Sequence, residues 1–138
     1  MTNNNVLAAV DPGRRIGFAF KLPTNSTYHT CTIIELSDLE SFLKRLRITH
    51  LALETFARSG RIDSHMIHTM EIVGAVKMAC VTYGIQLHTQ QPQERRSYIP
   101  DAIALLRSQG RKVVMTKAKD DHEVDALSHL LRLEDALR

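Results

Sequence analysis

Apolar and polar positions along the chain change period several times, and each change predicts an element. Val6 to Val10 form a nearly unbroken apolar run, as expected of a central strand covered on both faces, and Asp11-Pro12-Gly13 then supplies turn chemistry. Ile16 to Leu22 predicts a second strand, Pro23 to Thr27 its turn, and Tyr28 to Leu36, rich in Thr and Ile, a third. Ser37 with Glu40 reads as a capping box before a short helix to about Arg47, with Leu39, Phe42, Leu43 and Leu46 on one face. Leu51 to Glu54 predicts a short buried strand. A long periodic segment from Ile62 to Tyr83 predicts the longest helix, ended by Gly84. Ile85 to Thr89 predicts a further strand, Pro100 to Ser108 a helix with proline in its first turn, and Asp121 to Leu137 a closing helix. Lys112 to Met115 reads as a short strand or an extended connector.

The resulting order, β-β-β-α-β-α-β-α-α, opens with antiparallel hairpins and continues through crossovers. It predicts an α/β protein with a mixed sheet and helices on both faces. At 138 residues the chain suits one domain with one substantial core. No apolar run approaches the roughly 20 residues that cross a bilayer, so no membrane partner is expected. The opening MTNNN has neither a basic nor a hydrophobic leader region, so the protein is expected in the cytoplasm or wherever it is synthesised. Cys31 and Cys80 lie in no metal-spaced cluster and read as reduced structural thiols. The net charge of +3 is modest, but Arg14, Arg15, Arg58, Arg61, Arg95 and Arg96 fall in expected loops, a placement that suits a polyanion as well as simple solvation.

Candidate chemistry lies in three fragments, VLAAVDPG, LALETF and DHEVDALSHLL, each with an acid at the edge of an apolar run. An ionised carboxylate beside a core is costly unless a cation or hydrogen bonds compensate it. Asp11 could serve only the turn, whereas Glu54 has no turn or cap to occupy it. His122, Asp125 and His129 follow at spacings that place them on one helical face. Asp120 and Glu123 read as capping partners, and His129 as a supporting residue and not a ligand. Carboxylates with one imidazole and no cysteine favour a hard ion, Mg²⁺ or Mn²⁺, and two such ions can drive in-line phosphoryl displacement.

In order and context these fragments resemble the RuvC family of Holliday junction resolvases, within the RNase H-like superfamily. The resemblance rests on a first strand ending in Asp-Pro-Gly, Arg15-Ile16-Gly17 leading into the second, a glutamate closing the fourth, a long helix, and a last helix opening His-x-x-Asp-Ala-Leu. It implies an RNase H-like five-stranded mixed sheet and a catalytic metal-binding tetrad of Asp11, Glu54, His122 and Asp125. It also implies two Mg²⁺ ions per site, replaceable by Mn²⁺, and a homodimer that cuts four-way DNA junctions by paired symmetric nicks. Branched DNA is then the partner, and a branch-migration motor is left open as a further one.

The long helix could contribute core packing, dimer contacts, or both. Phe56 is the nearest match to an aromatic that packs on bases in that family, although core packing is an equal reading. Arg14, Arg15, Arg58 and Arg61 suit DNA phosphates, and Lys117 and Lys119 precede the metal-binding helix, where surface solubility is the alternative. The competing readings are a less selective RNase H-like nuclease on flaps, forks or hybrids, and a non-catalytic junction-binding module. A YqgF-like protein shares the DPGRRIG-type opening but lacks the strand glutamate. An actin-like kinase lobe needs a second glycine-rich phosphate loop that is absent here.

A histidine ligand must be deprotonated to bind metal. Cleavage should therefore fall as pH drops through roughly 6 to 6.5, the ordinary histidine range. A rate that stays flat down to pH 5 would count against His122 as a ligand.

Overall fold

A computed structural model describes residues 4–13, 15–24, 26–55, 64–113 and 121–138. Its centre is a five-stranded mixed sheet in the order β3-β2-β1-β4-β5. Strands β1 (Leu7–Asp11), β2 (Ile16–Lys21) and β3 (Tyr28–Ile33) form an antiparallel meander, while β4 (His50–Glu54) and β5 (Gln86–Gln90) join β1 in parallel. Parallel strands need crossover connections, supplied here by helices α1 (Leu36–Arg45) and α2 (Ser64–Tyr83). A 3-10 helix (Pro92–Tyr98) then leads into α3 (Ile99–Ser108), and α4 (His122–Ala136) closes the described chain.

Strand alternation divides the core into two layers. Ala8, Val10, Phe18, Leu51 and Leu53 face α1 and α2, which contribute Leu39, Leu43, Ile72, Val76 and Cys80. Leu7, Ala9, Ala19 and Ala52 face α3 and α4, which bring Ala102, Leu106, Val124, Leu127, Leu130 and Leu133. Ala19, Ala9 and Ala52 are register partners across three strands and fully buried, so this row lets α4 lie close to the sheet. Gly17 carries the principle furthest: a Cβ there would lie 2.0 Å from the carbonyl oxygen of His122. Gly84, at φ +67°, ends α2 with the left-handed residue that a helix C-terminus favours. No helix among the described residues is long and apolar enough to cross a membrane.

Several boundaries differ from the expectations. Strand β3 stops at Ile33, and α1 begins at Leu36 with Glu35 as its N-cap and no side-chain capping bond. The Ser37–Glu40 capping box does not form, because Ser37 lies inside the helix behind the Glu35 N-cap; the Glu40 carboxylate accepts a hydrogen bond from the Tyr83 hydroxyl at 2.7 Å. Asp121 caps α4, accepting from the backbone N–H groups of Glu123 and Val124 at 3.0 and 3.1 Å, and Asp120 lies outside the described residues. Among the described residues, the two oxygens of Glu123 accept from Thr30 and Thr32 of β3, each at 2.8 Å. Strand β5 runs one residue later than expected. Residues 111–113 form no strand, and 114–115 lie outside the described residues, as do 62–63 at the expected start of α2. Cys31 and Cys80 are free thiols, and burial pushes Cys80 up to about 11.

Helix α2 is apolar on two opposite faces. Ile72, Val76 and Cys80 enter the core, while Ile67, Met70, Met78 and Val81 are 47, 50, 66 and 79% exposed.

Because the His122 carbonyl occupies the space a side chain would need, Gly17→Ala should displace the start of α4. It is expected to cost about 1–3 kcal/mol, the scale of overpacking in a well-packed core. Urea unfolding checks this, and a variant as stable as the wild type would show that α4 does not rest there.

Candidate active site

One transverse row of the sheet assembles the site. Gly17 pairs with Asp11 between β2 and β1, and Glu54 pairs with Gln90 between β4 and β5. Strands β1 and β4 pair in parallel up to Val10 and Leu53, so one further step brings Asp11 beside Glu54 on the face covered by α4. Helix α4 spans this row with His122, Asp125 and His129 directed toward it. The sequence spacing thus places these three residues on the correct face.

Each acid is engaged by a protein donor or imidazole from a different element. Asp11 Oδ2 lies 3.0 Å from His122 Nδ1, and Glu54 Oε2 lies 2.7 Å from His129 Nε2. Asp125 Oδ1 accepts from Arg95 Nε at 2.9 Å. Among the described residues, no hydrogen bond occupies Asp11 Oδ1, Glu54 Oε1 or Asp125 Oδ2, so each carboxylate has one oxygen in reserve. Behind Glu54, His129 Nδ1 faces Gln90 Oε1 at 2.7 Å, and Gln90 Nε2 donates to the His129 carbonyl at 3.4 Å.

The electrostatics are those of acids short of positive charge. Burial raises Asp11 above its ordinary value, the His122 contact opposes the rise, and the Glu54 charge adds to it. Burial pushes Asp125 to about 6 against the pull of Arg95, with Asp11 and Glu54 reinforcing the rise. Burial disfavours the charge of Arg95, but its bond to Asp125 and the attraction of Glu54 and Asp11 more than restore it. Among the described residues, raised acids and reserve oxygens on hard donors are the chemistry that suits a divalent cation. The side chains do not converge as they stand: among the described residues, no three His, Cys, Asp or Glu groups are close enough to hold an ion together.

Of the other residues singled out from the sequence, Arg15 is exposed at the entry to β2. Arg14, Phe56, Arg58, Arg61, Lys117 and Lys119 lie outside the described residues. Sequence reasoning misses two participants. Gln90 falls just after the expected strand end at Thr89 and is not singled out. Arg95 counts only among loop arginines, because QQPQERRSYIP reads as a loop. A signal is present in Gln91-Pro92 followed by Glu94: the Gln91 N–H donates to Glu94 Oε2 at 2.6 Å, a reciprocal cap that starts the 3-10 helix carrying Arg95 to Asp125.

This is an α/β fold built on a five-stranded mixed sheet, and solved structures share it. No family model and no curated protein sequence matches the chain. Solved structures do. RuvC of T. thermophilus in complex with a Holliday junction substrate superposes with a TM-score of 0.68 at 18% identity, over 92% of this chain and 90% of that one. A further Thermus thermophilus RuvC structure gives 0.64 at 17%, covering 91% of each chain. The yeast mitochondrial Holliday junction resolvase Ydc2 gives 0.56 at 12%, over 94% of this chain and 78% of that one.

The raised acids generate a stability prediction. Between 3.8 and about 6 the folded protein keeps a proton on Asp125 that the unfolded chain has released. This contribution to stability therefore falls as pH rises through that window and is lowest above it. In metal-free buffer at pH 7.5, Asp125→Asn should raise unfolding stability by about 1–3 kcal/mol, since one pH unit of displacement corresponds to 1.36 kcal/mol. The gap to wild type should shrink toward pH 4. Urea unfolding in EDTA measures both, and a destabilised variant at pH 7.5 would contradict the electrostatic reading. The same window overlaps the histidine range, so an acid limb in a cleavage profile belongs to His122 only if it disappears in His122→Asp.

Proposed function

We propose that this protein is a metal-dependent, structure-selective DNA endonuclease that resolves four-way junctions by paired nicks. The observation that carries the reading is the row of Asp11 and Glu54 beneath Asp125 and His122, electrically undercompensated, in a fold shared with Holliday junction resolvases. When bound, Mg²⁺ or Mn²⁺, as two ions in the complete site, would supply an activated water and charge neutralisation at the phosphate. Asp11, Glu54, Asp125 and His122 are the groups that would hold the metal. Arg95 and His122, which pair with Asp125 and Asp11, would act as placeholders and release these acids to a metal. Arg15 at the sheet edge would contact DNA phosphates, with Arg14, Arg58, Arg61, Lys117 and Lys119 in the same role and Phe56 against bases. A binding module without chemistry has no use for clustered acids, which repel DNA unless a metal neutralises them.

Paired nicking needs two sites, and the outer face of α2 supports a homodimer. Ile67, Met70, Gly74, Met78 and Val81 lie within roughly 40° of one line along the helix, opposite the core face. Their spacing is symmetric about Gly74, where an added Cβ would meet nothing within 4 Å. A twofold axis at Gly74 would set Ile67 against Val81 and Met70 against Met78 of a second copy. The exposed Glu71 would then face Lys77, which makes the surface complementary to itself in charge as well as shape.

The test uses an immobile four-way junction labelled on each strand, beside linear duplex, flap and RNA–DNA hybrid, with Mg²⁺ or Mn²⁺. Wild type should make symmetric paired nicks. Asp11→Asn should lose more than about a hundredfold in rate, beyond the effect of removing a residue that merely supports a ligand. Met78→Lys should sediment as a monomer and lose the pairing of nicks. Preference for flaps or hybrids would retain the site and reject the resolvase, whereas tight junction binding without cleavage would make the protein a binding module.

A further inference from the structure

His129 is fully buried at the middle of the face of α4 that Val124, Leu127, Leu130 and Leu133 pack against the sheet. An apolar side chain would fill that place without needing polar partners, whereas a buried imidazole is costly unless both ring nitrogens are hydrogen-bonded. Here both are, and the partners come from two strands: Gln90 at the end of β5 and Glu54 at the end of β4. Gln90 is itself only 3% exposed, and its amide nitrogen reaches the His129 carbonyl, which turns Oε1 toward Nδ1. Nδ1 therefore donates to Gln90. The 2.7 Å contact between Nε2 and Glu54 Oε2 must then also contain a proton, so Oε2 is committed to the imidazole.

We propose that the buried chain Gln90–His129–Glu54 is a positioning relay that fixes the Glu54 carboxylate so that it offers a single oxygen, Oε1, to a divalent ion. His129 is a positioning residue and not a ligand. The proposal rests on the metal-nuclease reading above. It adds why a histidine occupies a helical position that packing alone would give to leucine: one imidazole ties together the three elements β4, β5 and α4 behind the site. Gln90 locks the ring by holding Nδ1, and the locked ring denies Glu54 rotation about its last torsion.

The experiment is Mn²⁺ binding to the full chain without DNA, followed by the loss of the free-ion EPR signal, beside thermal unfolding and junction binding in EDTA. The variants are His129→Leu, His129→Asn, His129→Gln and Gln90→Leu, with Asp11→Asn defining the specific site. In His129→Gln the longer amide side chain can still reach Glu54, whereas the shorter amide of His129→Asn reaches only toward Gln90. We expect His129→Leu and His129→Asn to weaken Mn²⁺ binding about 10–100-fold, Gln90→Leu about 3–10-fold, and His129→Gln less than about 3-fold, the range seen when supporting partners of metal ligands are removed. Junction binding in EDTA should be unchanged. Gln90→Leu keeps His129 and tests the relay should His129→Leu not fold. Undiminished Mn²⁺ affinity in folded His129→Leu or Gln90→Leu, or equal losses in His129→Gln and His129→Asn, would reduce His129 to a core residue and overturn the proposal. Wild type binding no Mn²⁺ that Asp11→Asn abolishes would instead overturn the metal reading beneath it.

Discussion

Asp11 and Asp125 lie buried at one edge of a sheet beside Glu54, where lost hydration and repulsion from the neighbouring acids both favour their protonation. Much of the surrounding structure answers that repulsion. The 3-10 helix delivers Arg95 to Asp125, the first turn of α4 delivers His122 to Asp11, and the middle of α4 delivers His129 to Glu54. The compensation is incomplete, since Asp125 still rises to about 6 beside a guanidinium. A protein selected only for stability would replace such acids with apolar side chains, which often substitute for buried ion pairs at no loss. Three such acids at one edge are the physical basis for the proposal that this edge binds a cation.

The packing that permits this approach belongs to the sheet. Successive rows on the α4 face read Ala19–Ala9–Ala52 and then Gly17–Asp11, with Glu54–Gln90 alongside. Small side chains in the first row let the helix lie close, and the missing side chain at Gly17 lets the His122 carbonyl descend onto β2. Gly13 adds to the same clearance, since a Cβ there would lie 3.1 Å from His122 Cε1. The two glycines of the Asp-Pro-Gly-Arg-Arg-Ile-Gly segment thus serve packing around one histidine as much as turn formation.

Patterns with a clear period were legible in the sequence. Five strands, the long helix and the α4 face carrying His122, Asp125 and His129 all follow from alternation or helical spacing. Capping was less legible, because the N-cap of α1 falls at Glu35 and the acids find distant partners. Glu40 is drawn to Tyr83 and Glu123 to Thr30 and Thr32, contacts that span 43, 93 and 91 residues and that no local motif encodes. Arg95 and Gln90 escape notice for the same reason: their value lies in what the fold sets opposite them. His129 reads as a supporting residue from its spacing alone, and its partners become visible only once β4 and β5 are placed side by side.

Helix α4 is secured at both ends. Asp121 caps its start and pairs with Arg111 at 2.9 Å, while Glu123 ties the first turn to β3. Near the other end, the buried Glu134 accepts from Lys21 and Tyr28, with Arg138 at 3.3 Å. Breaking one partner of such a buried network leaves a charge uncompensated, which is far costlier than the net worth of the pair. The backbone carrying His122, Asp125 and His129 is therefore held from either side, and the alanine row holds it from below. Any convergence of the three acids on a cation must then come from the side chains that can yield. Arg95 on its short 3-10 helix and the half-exposed His122 are those side chains, whereas the fully enclosed His129 is not. In the proposed metal site one carboxylate would be fixed and two released, so that Glu54 would set the frame to which Asp11 and Asp125 adjust.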